Sequence, residues 1–107
     1  MDIDELIKLL KEELIKVLGE SYNDYQQETK QDIDAFLQAS KIKLERWTNL
    51  LAAQDLTINE YEWLLQSQKD LMVLSALKKS GVSASRLGHL KNKIIKTILN
   101  TVVIAVL

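Results

Sequence analysis

Cysteine and proline are absent from the 107 residues, histidine occurs once and glycine three times. The lack of cysteine excludes a disulfide scaffold, thiolate zinc or iron–sulfur sites and a cysteine nucleophile. Without proline, collagen-like and proline-rich architectures are ruled out. A single histidine cannot build a two- or three-histidine metal site within one chain. No apolar run approaches the ~20 residues of a membrane-crossing helix. The longest, residues 101–107, stays short even when extended back to Ile94. The chain opens Met-Asp-Ile-Asp-Glu, acidic where an export signal is basic. A cytoplasmic location is expected, with peripheral attachment to a membrane as the variant.

The composition that remains is that of an ordinary globular domain, 47% hydrophobic and 27% charged. Apolar residues recur at helical rather than strand spacing. Ile3, Leu6, Ile7, Leu10, Leu14, Val17 and Leu18 fall at steps of three and four, which gathers them on one face of a 3.6-residue helix. Leu9 and Ile15 widen that face, so the first helix is expected to meet more than one neighbour. Gly19 is its expected end, because a residue without Cβ adopts the left-handed cap freely.

A second helix is expected over residues 23–54, uninterrupted by glycine or proline. Its stripe is Tyr22, Tyr25, Thr29, Ile33, Phe36, Ser40, Leu44, Trp47 and Leu51. At 1.5 Å per residue this is a rod of ~48 Å, long for so small a domain and thinly apolar in its first half. Such a rod suggests coiled-coil-like contact with another subunit. Thr57 and Glu60 have capping-box spacing, with Leu56 and Tyr61 as the flanking apolar pair. A third helix is therefore expected over 58–80, antiparallel to the second across a short turn. Trp47 and Trp63 would then lie at similar height and close one end of a shared core. Gly81 is the expected stop, Ser83 or Ser85 the next cap, and a fourth helix follows over 84–104.

Charge is unevenly spread. Residues 1–70 carry 15 acids against eight bases, and residues 71–107 carry six bases and no acid. Arg86, His89, Lys91, Lys93 and Lys96 are the basic-surface candidates. The bland reading sets them beside the acidic helices; the functional readings are an anionic membrane or nucleic acid. Nucleic acid is disfavoured, because Lys91, Lys93 and Lys96 point in different directions around the helix axis and the same helix turns apolar after them.

Catalytic and metal signatures are missing. There is no Glu-x-x-His for a carboxylate-bridged metal site and no Gly-x-Ser-x-Gly elbow. Nor is there a phosphate loop, since the Gly81–Gly88 interval has neither its spacing nor its lysine. Ser85 and His89 share a helix face without an acid to orient the imidazole. No enzyme activity, cofactor or metal is expected. The sequence reads as an all-α antiparallel helical bundle, one domain spanning 1–107. Its expected role is structural or adaptor-like, through homo-oligomeric assembly and protein–protein contacts, in the style of small bacterial or phage proteins. Interface candidates are Tyr22, Tyr25, Ile33, Phe36, Val102, Val103 and Val106.

Overall fold

A computed structural model describes residues 2–21 and 26–107 and is all-α, with no strand among the described residues. The helices are α1 (Ile3–Ser21), α2 (Gln26–Ala52), α3 (Ile58–Ser67), α4 (Ser75–Lys79) and α5 (Ala84–Val106). The interface candidates Tyr22 and Tyr25 lie outside the described residues.

Helix α1 starts where Asp2 accepts hydrogen bonds from the N–H groups of Asp4, at 3.3 Å through its carboxylate, and Leu6, at 3.1 Å through its carbonyl. Leu6, Ile7, Leu10, Leu14 and Leu18 are buried at the expected spacing. Contrary to expectation, the helix does not end at Gly19 but runs to Ser21. An interior glycine costs a helix only about 1 kcal/mol, less than one buried leucine contributes.

Helix α2 runs antiparallel to α1, and two ion pairs fix the register. Lys11 pairs with Asp34, and Lys41 with Asp4 at 2.6 Å. The bond to the Asp4 carboxylate also raises the Lys41 pKa. Helix α2 stops at Ala52, two residues before the expected end, in a left-handed C-terminal cap. Gln54 has φ +64°, its N–H donates to Leu51 O, and the Asp55 N–H donates to Leu50 O at 2.9 Å.

At ~40 Å, α2 is nearly as long as the whole molecule, which measures 42 × 24 × 22 Å. The expectation of a rod too long for its own chain to cover is overturned. Ile33, Phe36, Leu37, Leu44 and Leu51 are all buried beneath α1, α3, α4 and α5. Ile33 and Phe36 therefore stabilise this chain's own core and are not presented to another subunit.

The capping box forms as expected. Thr57 Oγ1 accepts from the Glu60 N–H at 3.1 Å, and a Glu60 carboxylate oxygen accepts from the Thr57 N–H at 3.0 Å. These bonds favour the ionised carboxyl and lower the Glu60 pKa. The continuous helix expected over 58–80 is broken, however. Helix α3 ends at Ser67, a 3-10 turn covers Lys69–Leu71, the chain passes through residues 72–74 without helix, and α4 begins at Ser75.

The reason is burial. In a straight helix Met72 and Leu74 would point about 200° apart, whereas the open passage buries both and leaves Leu71 and Val73 outside. Leu74, at the head of α4, has no capping oxygen, and Asp32 on α2 supplies one by accepting the Ala76 N–H at 3.2 Å. Gly81 then closes α4 as expected, at φ +88°, with the Val82 N–H donating to Leu77 O at 3.1 Å.

Ser83 caps α5 by accepting the Arg86 N–H at 3.3 Å. Two residues longer than expected, α5 buries Leu90, Ile94, Ile95, Ile98, Leu99 and Val102 against α1 and α3. The paired-tryptophan expectation holds for one partner only. Trp47 is half-buried and meets the Tyr61 ring edge-on at 6.4 Å, while Trp63 is 71% exposed. With Tyr61 and Leu65 facing inward, the α3 phase turns Trp63 outward.

Candidate functional site

Where α1 and α5 lie side by side they leave a mostly apolar groove of about 530 Å³. Leu9 and Val17 enter it from α1, and Ile104 and Ala105 from α5. The width of the α1 apolar face explains the first pair. Leu10 and Leu14 fill the core, so Leu9 and Val17 are left half-buried at its edge. Ile104 is 83% exposed and Leu107 62%, although β-branched and leucine side chains usually lie inside.

The groove rim is polar. Glu13 and Lys16 lie on its α1 side and form a 3.2 Å ion pair, one helical step apart. On α5, the Thr97 hydroxyl donates to Lys93 O and the Thr101 hydroxyl to Thr97 O, both at 2.8 Å. Those two hydroxyl donors are engaged by the helix itself, so the groove offers mainly apolar contact, with Glu13, Lys16 and Asn100 as its polar rim.

Of the remaining interface candidates, Val102 is fully buried within the chain and leaves the surface altogether, because it points into the layer shared with Ile98 and Leu99. Val103 and Val106 are half-buried against the same core. Sequence reasoning noted Leu9 only as surplus apolar surface and missed Ile104. Its signal was present: Ile104 falls on the face opposite Ile95 and Ile98.

The basic candidates separate into two groups. Arg86, His89, Lys93 and Lys96 are exposed and fall within an arc of about 80° on the outward side of α5, taking 3.6 residues per turn. Lys91 lies outside this arc and is half-buried. A second, polar groove of about 630 Å³ runs between this arc and α3, lined by Gln66, His89, Asn92, Lys93, Lys96, Thr97 and Asn100. Lys43, on α2, instead donates to the side-chain Oε1 of Gln68 at 3.2 Å.

Among the described residues no three His, Asp or Glu side chains cluster in a way that would hold a metal ion. Among the described residues, no helix is long and apolar enough to cross a membrane. The buried phenol of Tyr61, its pKa pushed up to about 12 by desolvation, sits in the core away from both grooves. Set against known proteins, the chain matches no family model, no curated protein and no solved structure.

Proposed function

We propose that this chain is a non-catalytic interaction protein that pairs with a second copy of itself through the α1–α5 groove. The observation that carries this reading is the exposure of Ile104 beside the Leu9–Val17 cleft. A two-fold contact is self-complementary, and the groove suits one. Each Ile104 enters the partner's cleft, and the rim brings one acid and one base, Glu13 and Lys16, to meet their opposites across the axis. Two helices of roughly 30 Å, each about 10 Å across, present a face on the order of 600 Å² per copy. That reaches the lower end of specific interfaces. An assembling, adaptor-like role follows from such a surface, and it no longer draws on α2.

Sedimentation velocity across the micromolar range tests it. The wild type is expected at dimer mass, and Ile104→Glu at monomer mass with unchanged far-ultraviolet circular dichroism. Glu13→Lys or Lys16→Glu alone weakens the dimer, and the two together restore it. A monomer at every concentration, or a dimer indifferent to Ile104→Glu, overturns the proposal.

A further inference from the structure

The α1–α5 groove runs along positions 9–17 of α1 and 97–105 of α5, so position 13 lies level with about position 101. Helix α2 is antiparallel to α1, and the chain reverses again at Gln54 and at Gly81, which leaves α5 antiparallel to α1. Exchange of Glu13 and Lys16 between two copies centres the two-fold axis midway between those residues on α1. On α5 that level is Asn100, to within about one residue or ~1.5 Å.

Asn100 also stands where a second α5 would pack. It lines both the α1–α5 groove and the polar groove against α3, so it sits on the crest of α5 between them, and it is exposed. Ile104 lies one turn further along this crest, about 40° around the helix. Thr97 and Thr101 donate their hydroxyl protons to helix carbonyls, whereas no hydrogen bond within the described residues engages the Asn100 carboxamide.

A residue on the axis meets its own copy, and a charged one would repel it. A carboxamide carries both an acceptor oxygen and N–H donors and is complementary to itself. We infer that Asn100 lies on the axis of the pair and hydrogen-bonds the partner's Asn100, setting α5 antiparallel on α5 of the second copy. The inference rests on the groove pairing proposed above and adds its register. A polar side chain in an apolar helix seam selects one alignment, because every other buries it unpaired.

The chain has no cysteine, so Asn100→Cys introduces a single thiol. With its copy at the axis, mild oxidation by oxidised glutathione should convert nearly all of the protein to a covalent dimer. Lys96→Cys is the control. Antiparallel packing about Asn100 holds its two copies roughly 10–12 Å apart along the helix, beyond the ~7 Å between Cα atoms that a disulfide spans. Asn100→Asp sets two carboxylates against each other and should weaken the dimer at least about tenfold at neutral pH, with part of the loss recovered in high salt. Far-ultraviolet circular dichroism is unchanged in all three variants, since both positions are exposed.

A dimer that Ile104→Glu dissociates, yet that Asn100→Cys does not cross-link, overturns the register and leaves the groove pairing standing. Cross-linking of Lys96→Cys as readily as Asn100→Cys, or a dimer indifferent to Asn100→Asp, overturns the register too. A monomer at every concentration overturns both proposals.

Discussion

The Tyr61 hydroxyl lies 2.9 Å from Thr48 Oγ1 in the core, so that a buried pair of side-chain hydroxyls joins α2 to α3. Either oxygen serves as donor. Both groups leave water on folding, and each satisfies the other. The pair sits just beyond the turn that joins the two helices, beside the edge-on Trp47 ring.

Tyr61→Phe removes one partner and strands the Thr48 hydroxyl, at an expected cost of about 1–3 kcal/mol. The double variant with Thr48→Val should recover most of that loss. Alkaline pH gives an independent reading. Burial raises the Tyr61 pKa from 10.0 to about 12. Below pH 10 the phenol is protonated in folded and unfolded chains alike, and its contribution is whole. Above that the unfolded phenol ionises first, so stability falls as pH rises toward about 12. Denaturation of the wild type and of Tyr61→Phe over this window should show the steeper decline in the wild type. Parallel declines would refute the burial argument.

Ser40 Oγ is buried with no hydrogen-bond partner among the described residues. An unsatisfied hydroxyl is costly, and alanine is the better helix former. Ser40→Ala should therefore stabilise the protein by about 1–2 kcal/mol, seen as a higher urea midpoint with an unchanged slope. A lower midpoint would mean that the hydroxyl is bonded in solution.

Two glycines should respond to alanine with opposite signs. Gly81 closes α4 at φ +88°, a conformation in which a Cβ costs about 1–2 kcal/mol even though nothing crowds it. Gly88 lies within α5, where an added Cβ meets no atom within 4 Å, and alanine there gains about 0.5–1 kcal/mol. For a chain of this size each kcal/mol moves the melting temperature by about 4–8 °C. Thermal melts of the two variants should fall on either side of the wild type.

Much of the fold was legible in local signals. The α1 stripe, the Thr57–Glu60 box and the Gly81 stop depend on residues a few positions apart, and the structure keeps all three. The break between α3 and α4 was not legible, because residues 58–80 satisfy helical spacing throughout. What decides it is the gain from burying Met72 and Leu74 together, which depends on the position of α2. For the same reason the stripe through Ile33 and Phe36 suggested a neighbour molecule: periodicity shows that a face must be covered, and not by what. The basic arc was hidden by the choice of lysines. Lys91 breaks the alignment, while Arg86, His89, Lys93 and Lys96 keep it.

The carboxylate of Asp32 begins a helix that starts more than forty positions later, by accepting the Ala76 N–H. Residues 58–80 thus carry only part of the instruction for their bend. Excised as a peptide, they would lose the Asp32 oxygen that favours the interrupted path, and whatever helix formed would be free to run straight. The shape of this stretch is a property borrowed from α2.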